Sequence, residues 1–259
     1  MKNIVLTILL LCLSSSFVFG QILDVMNKYW VSNKRIVQEE EATAEIDNSD
    51  EIGGFIRGRT KFYLGRKPIN IGVKGDIYLD KKWKGSILMT HAGELVAVSA
   101  RYRVYDDEIE IIQDEQEMIV YKDKVKAVSI DNQVFVPRIV KDKNGRINEK
   151  WAQLLVEGEC NLFKVYTMSV KRSDYNAALN TGNKSDILET STKLYYNQLP
   201  AQSSLTVLKK GKTNVLEVLK RKERLVTEFA KENKLKWGKE ADLIKLFVYY
   251  NSLLDQKED

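Results

Sequence analysis

Apolar and polar side chains alternate along the middle of the chain, most regularly from Leu95 to Val104. The even positions there are apolar, and three of the odd positions hold Ser99, Arg101 and Arg103. After two acidic residues the alternation resumes as Glu-Ile-Glu-Ile. This pattern is typical of strands with one buried and one solvated face. It predicts an antiparallel hairpin that turns at Asp106 and Asp107.

We expect this hairpin to pair symmetrically about its two turn residues. The expected cross-strand pairs are Val104 with Ile109, Tyr102 with Ile111, and Arg103 with Glu110. Apolar pairs on one face and an oppositely charged pair on the other are mutually consistent. In this arrangement Tyr102→Asp or Ile109→Asp buries an unpaired charge and is severely destabilising. Arg103→Ala costs about 1 kcal/mol or less if its ion pair is exposed.

Similar patterns predict an antiparallel β region over residues 71–209. The predicted strands are Ile77–Leu79, Trp83–Met89, Leu95–Tyr105, Glu108–Ile112, Gln116–Tyr121, Val125–Ile130, Gln133–Val140, Lys150–Val156, Cys160–Val170, Leu188–Asn197 and Leu205–Lys209. Asp131-Asn132, Asn144-Gly145 and Glu157-Gly158-Glu159 predict turns. Pro137 has no N–H, so its strand is expected to end there or to lie at an edge. Residues 172–186 lose the alternation and predict a long surface loop, where a binding function is most easily placed.

Residues 210–254 change to a helical period and predict a C-terminal helical segment. Asn214, with Glu217 three residues later, predicts a capped first helix, and Asn233 predicts the end of a second. A third helix is expected over 243–254. Because the polar faces mix Lys with Glu, we expect the helices to pack on the sheet or on each other. The fold class is therefore α+β and β-rich: an antiparallel meander or half-barrel-like sheet with a C-terminal helical segment.

Residues 1–20 have the organisation of a secretory signal peptide. Lys2 is followed by an apolar run from Ile4 to Leu13 and then by a stretch, Ser14 to Gly20, that begins and ends with small residues. Residues 21–70 predict a short helix and a polar linker, with an acidic stretch at 39–51 and a basic stretch at 53–70. Neither stretch has the spacing of a calcium loop or a phosphate-binding motif. We expect an exported protein, periplasmic or extracellular, without a transmembrane segment and with outer-membrane association left open.

Composition excludes several classes of function. The net charge of +5, which falls to +4 without Lys2, is small and spread along the chain, so we expect no nucleic-acid partner. Cys160 is the only cysteine after the predicted cleavage and His91 the only histidine, which excludes an intramolecular disulfide and the usual zinc site. His91 lies in a predicted turn, where an incidental role is favoured over catalysis. We therefore assign no catalytic residue, no cofactor-binding residue and no metal ligand.

Carboxylate chemistry needs no histidine and stays open. Asp106, Asp107, Glu108 and Glu110 are clustered, and glycoside hydrolysis needs two carboxylates about 5 to 10 Å apart across a cleft. Tyrosines along the strands offer a sugar-stacking platform, although packing in the core is the commoner role of such residues. They are Tyr102, Tyr105, Tyr121, Tyr166, Tyr195 and Tyr196.

Two stretches resemble a group of uncharacterised secreted bacterial proteins. The first is GDIYLDKKWKGSI with ARYRVYDDEIEI, similar to a tyrosine-containing strand followed by a meander with an RYN-like motif, where Arg103 replaces the asparagine. The second is the tail VLKRKERLVTEFAKENKLKWGKEADLIKLFVYYNSL. The resemblance covers roughly 100 residues. It implies a mixed β fold with terminal helices, and it implies no activity or functional residue.

The leading hypothesis is an exported, non-catalytic binding or structural protein of the bacterial cell envelope, with an envelope protein as a possible partner. The first alternative is a carboxylate-dependent hydrolase of glycan or peptide centred on residues 106–110. The second is a β half-barrel that carries a small apolar ligand, because alternating strands can enclose a cavity.

Overall fold

The computed structural model describes residues 56–58, 73–113, 116–141, 145–176, 178–182, 184–198 and 204–255. The predicted signal peptide, the N-terminal helix, the acidic stretch and most of the basic stretch lie outside the described residues. The same holds for Asn144 of the second predicted turn.

The predicted fold class is confirmed: the structure is α+β and β-rich, and its helices follow the strands. The strands are β1 Ile56–Gly58, β2 Lys84–Thr90, β3 Leu95–Arg103, β4 Glu108–Gln113, β5 Gln116–Val120, β6 Val125–Ile130, β7 Gln133–Lys141, β8 Ile147–Val156, β9 Cys160–Lys171, β10 Ile187–Gln198 and β11 Ser204–Val207. The helices are α1 Lys212–Val218, α2 Glu223–Glu232 and α3 Glu240–Asp255. Instead of the predicted strand Ile77–Leu79, only Tyr78 forms an isolated bridge, to Arg103.

The strands form one sheet whose end closes on itself. Its order is β1-β5-β4-β3-β2-β6-β7-β11-β10-β9-β8, and β8 also pairs with β7. The last five strands are therefore a closed, barrel-like ring, and the first six are an open sheet joined to that ring through β7. All pairings are antiparallel except that of β11 with β7.

The main core lies where the open sheet curls against the ring. The ring of Tyr102 on β3 lies 5.3 Å from that of Phe135 on β7 and 6.2 Å from that of Tyr166 on β9, measured between centroids. Strands β3 and β9 are far apart in the sheet order, so only a strongly curved sheet brings these side chains together. Trp151 of β8 is fully buried in the same cluster. The predicted half-barrel-like curvature is thus present.

A second core joins the helices to the ring. Leu219, Val226, Leu243 and Phe247 pack with residues of β8 and β9, among them Leu162. The predicted packing of the helices on the sheet is confirmed, and Asn233 ends α2 as expected. Within the described residues no helix is both long and apolar enough to cross a bilayer.

The predicted cap of the first helix is wrong. Gly211, with a φ of 110°, is the N-cap residue of α1, and Asn214 lies inside the first turn. The Asn214 side chain donates to the carbonyl oxygen of Lys210 at 2.8 Å instead of capping the helix. Gly211 adopts this conformation without strain. The helix therefore begins three residues earlier than predicted from Asn214.

The predicted hairpin register is also wrong, by two residues. Tyr102 pairs with Ile109 and Arg103 with Glu108, across a loop formed by residues 104–107. A shift of two keeps every side chain on its expected face, so Tyr102 and Ile109 are both buried in the main core. The longer loop allows Asp107, with a φ of 58°, to turn its side chain into the protein.

Two other turn predictions have different outcomes. Asp131 and Asn132 both have positive φ, 49° and 64°, as a two-residue hairpin turn requires. Pro137 neither ends β7 nor lies at an edge, because β7 continues to Lys141 with β8 beside it. On the other side of β7, the pairing with β6 stops at Phe135 and the pairing with β11 starts at Ile139. Pro137 falls in the gap between those two partners.

A single amide ties α3 to the turn between β8 and β9. The Asn251 side chain accepts from the Cys160 N–H at 3.0 Å and donates to the carbonyl oxygens of Cys160 and Glu157 at 3.0 and 3.3 Å. Gly158 makes room for it, since a Cβ there would lie 2.3 Å from the Asn251 amide nitrogen.

We expect Asn251→Ala to lower the free energy of unfolding by about 2 kcal/mol, because it leaves buried backbone groups without hydrogen bonds. Urea denaturation followed by circular dichroism measures the change. Ser252→Ala, at the exposed neighbouring position, is the matched control and should change stability by less than about 0.5 kcal/mol. Equal effects of the two substitutions would show that the Asn251 contacts contribute nothing.

Candidate functional site

The carboxylates of the hairpin form a buried ion-pair cluster. Glu110 has no exposed surface. It accepts from the Arg101 Nε at 2.7 Å and from the Tyr78 hydroxyl at 3.2 Å, and it is also paired with Arg103. Arg103 in turn pairs with Glu108 and with Asp106, the latter at 2.6 Å. Three of the four carboxylates that the hydrolase hypothesis would use, Asp106, Glu108 and Glu110, therefore each contact a guanidinium.

The segment before β2 covers this cluster. The Arg101 guanidinium lies 4.2 Å from the ring centroid of Tyr78 and 4.0 Å from that of Trp83, so it is stacked between the two. Backbone bonds from Leu79 to Tyr102 and from Tyr105 to Ile77 hold the segment against the hairpin. Desolvated arginines that stack on aromatic rings and hydrogen-bond to carboxylates are typical of rigid structural ion pairs. The polar face of the hairpin is therefore a second, charged core.

Asp107 is separate from that cluster and faces the main core. Its Oδ1 accepts from the Tyr102 hydroxyl at 2.6 Å and from the Trp151 backbone N–H at 3.3 Å. Its Oδ2 lies 3.0 Å from the Lys122 Nζ. Burial, with Asp107 as the neighbouring charge, raises the pKa of Tyr102. Asp107 thus ties β3, β8 and the turn before β6 together, and no cleft separates it from its partners.

The single histidine and Cys160 lie in separate parts of the sheet. His91 is in the exposed turn between β2 and β3, as predicted. Cys160 is buried at the start of β9, against α3. A cleft beside it is lined by Glu159, Gln198, Arg221, Tyr250 and Leu254, with a volume of about 70 Å³. That is several-fold smaller than the pockets that hold typical small-molecule ligands.

We expect the Cys160 thiol to be unreactive in the folded protein. Burial raises the pKa of this thiol to about 12, and the thiolate is the reactive form. At pH 8 only about one thiol in ten thousand is then ionised. In a Cys12→Ser background, labelling by a disulfide reagent should be slow in buffer and immediate in urea. Fast labelling of the folded protein would mean that Cys160 is accessible.

The predicted tyrosines divide between the core and the surface. Tyr102, Tyr166 and Tyr195 are buried, and Tyr105 and Tyr121 are exposed on separate turns. Tyr196 packs against the helix core. The structure therefore does not bring these rings together as a sugar-stacking platform. The described residues also contain no group of three or more acidic, histidine or cysteine side chains placed to hold a metal ion.

The sequence pattern also did not predict how far the hairpin of β9 and β10 continues beyond its neighbouring strands. β9 and β10 pair along their whole length, from the pair of Cys160 with Gln198 to the pair of Lys171 with Ile187. However, β8 pairs only with β9 residues up to Val165, and β11 pairs only with Tyr195 and Tyr196 of β10. Apart from each other, the strand residues between 167 and 193 therefore pair with no other strand of the described sheet. We call residues 167–193 the arm.

The arm is anchored at its base and its end. Met168 packs against the main core. The backbone of Lys74 bonds to Asp186 and Leu188 at 2.8 and 2.7 Å. An ion pair of 2.8 Å between Arg172 and Asp186 closes the loop. These contacts compensate for the marginal stability of an isolated two-stranded hairpin.

The tip of the arm is a turn with several internal hydrogen bonds. Asn176 and Thr181 exchange two backbone hydrogen bonds of 2.8 and 3.3 Å. The Asn176 side chain accepts from the N–H groups of Ala178 and Leu179 at 3.0 and 3.2 Å, and the Tyr175 hydroxyl donates to Asn180 at 2.9 Å. Leu179 is presented on this turn with 70% of its surface exposed. The predicted surface loop thus holds a large apolar side chain, that of Leu179, in an exposed position.

Comparison of the chain with protein-family models, with curated proteins and with solved structures gave no match. Membership of the secreted group suggested by the two sequence stretches therefore stays a prediction.

Proposed function

We propose that this chain is an exported, non-catalytic protein of the bacterial cell envelope that binds another envelope protein through the tip of its arm. The observation that carries the proposal is the exposed Leu179 on an internally hydrogen-bonded turn. A loop with internal hydrogen bonds loses less conformational entropy on binding than an unconstrained loop, so its exposed side chain is suited to fill a pocket of a partner. The signal-like first twenty residues support export.

The state of the hairpin carboxylates supports a non-catalytic role. A glycan hydrolase needs two carboxylates that face each other across space for the substrate. Here Asp106, Glu108 and Glu110 all contact Arg103, and Glu110 is fully buried. The interior of the curved sheet holds Tyr102, Phe135, Trp151 and Tyr166, which favours a filled core over a carrier cavity.

The test is an affinity purification of tagged protein from its own envelope, with mass spectrometry of proteins and small molecules. We expect one envelope protein in stoichiometric amount with the wild type, and its loss with Leu179→Asp. The control is Ile147→Asp, because Ile147 is 65% exposed but lies at the start of β8, outside the arm. Retention of the partner by Leu179→Asp would refute the arm tip as the binding element. A turnover activity abolished by a point substitution would refute the non-catalytic role.

A further inference from the structure

Within the part of the chain that the structure describes, one edge of β10 presents unpaired backbone groups over a short stretch of the arm. On this edge the Leu188 N–H donates to Lys74 and the Leu194 carbonyl accepts from Leu208, at 2.7 and 2.9 Å. In an antiparallel strand every second residue directs both its N–H and its C=O to the same side. Thr190 and Thr192 therefore direct theirs to this edge, and none of the described strands pairs with them there.

The sequence along this edge is complementary to itself. Residues 189–193 read Glu-Thr-Ser-Thr-Lys, and all five are exposed. When two copies run antiparallel about Ser191, Glu189 of each copy stands opposite Lys193 of the other. Thr190 then stands opposite Thr192. Opposite charges and threonine pairs are both favourable across antiparallel strands.

We propose that two copies of this chain associate through the β10 edge, with Ser191 on the two-fold axis. The outward N–H and C=O groups of Thr190 and Thr192 then form four hydrogen bonds between the copies. The contact is isologous and closes at two subunits. A one-residue slip would turn the outward groups away from each other, and a two-residue slip would remove the charge pairs. The two charges thus fix the register.

Charged residues on a free edge usually prevent edge-to-edge pairing. Here each charge meets its opposite in one register only, so the same residues that block other strands select a second copy. Five residues from each copy form a smaller contact than a standard interface. The association is therefore expected to be weak and dependent on concentration. It uses the strand edge and not the arm tip, so it does not rest on the proposed function.

Charge substitutions test the register. Sedimentation velocity over a range of concentrations should show a monomer–dimer equilibrium for the wild type. Glu189→Lys or Lys193→Glu alone sets like charges opposite each other at two symmetric points, and should raise the dissociation constant about tenfold or more. The double substitution Glu189→Lys with Lys193→Glu should restore the dissociation constant of the wild type. A wild type that stays monomeric at every concentration, or single substitutions without effect, would overturn the proposal.

A cysteine at the two-fold axis gives an independent readout. In a Cys12→Ser background, Ser191→Cys should form a disulfide-linked dimer on mild oxidation, because residues directly opposite each other have Cβ atoms about 5 Å apart. Ser169→Cys is the matched control: Ser169 is exposed on the same arm, opposite Glu189 on β9. It should stay monomeric under the same conditions. Cross-linking of Ser169→Cys but not of Ser191→Cys would place the contact elsewhere and contradict the proposal.

Discussion

Ile109→Asp is expected to unfold the β region. Ile109 has no exposed surface and pairs with Tyr102 across the hairpin in the main core. A carboxylate there would have to be buried without a partner or become protonated. We expect such a change to lower the free energy of unfolding by more than about 4 kcal/mol. Such a loss is a large part of the free energy of unfolding of a typical domain. Circular dichroism and urea denaturation of the purified variant measure the effect.

Ile147→Asp is the control for this substitution, because it makes the same chemical change on an exposed strand position. It should change stability by no more than about 0.5 kcal/mol. If both variants unfold at the same urea concentration, the assignment of Ile109 to the core is wrong. Tyr102→Asp should resemble Ile109→Asp, since Tyr102 is 2% exposed.

Arg103→Ala is expected to lower the free energy of unfolding by about 3 kcal/mol. The loss of an exposed ion pair would lower it by only about 1 kcal/mol or less. Its side chain is only 6% exposed and contacts Asp106, Glu108 and Glu110. Removing one partner of a buried ion pair leaves uncompensated charge in a poorly solvated site. Glu110 keeps Arg101 and Tyr78 as partners, which places the loss at the lower end of the range for buried pairs. Chemical denaturation at neutral pH measures the change.

Arg103→Lys and Lys84→Ala complete this experiment. The lysine keeps the charge but lacks the planar fork that reaches three carboxylates, so it should recover only part of the stability. Lys84 pairs with Asp80 and Asp131 on the exposed surface, and its removal should have little effect. An Arg103→Ala variant as stable as Lys84→Ala would show that the charged core is solvated.

Local pattern predicted the strands well and the long-range geometry poorly. Alternation located β3 and β4 to within two residues, because burial on one face imposes a period of two. The register was missed because it depends on Asp107, whose partner Trp151 is 44 residues away. Closure of the ring likewise depends on β7 pairing with β8 and β11, which no local pattern encodes.

The charged core and the arm were missed for related reasons. Arg101, Arg103 and Glu110 occupy positions that alternation assigns to solvent, and the sequence does not show that Tyr78 and Trp83 cover them. Conversely, β9 and β10 read as ordinary strands along their whole length. The only signal that these strands continue beyond their neighbours was the run of polar residues from Glu189 to Lys193, where one face of a packed strand would be apolar. That run distinguishes the arm from the rest of the sheet.

Binding of a partner through the arm tip can be tested by site-specific photo-crosslinking in living cells. A photoreactive amino acid replaces Leu179 at the arm tip, and in a parallel strain it replaces Ile147, which is similarly exposed but outside the arm. We expect one discrete protein adduct from position 179 and none from position 147. No adduct from position 179, or the same adducts from both positions, would contradict binding through the arm tip.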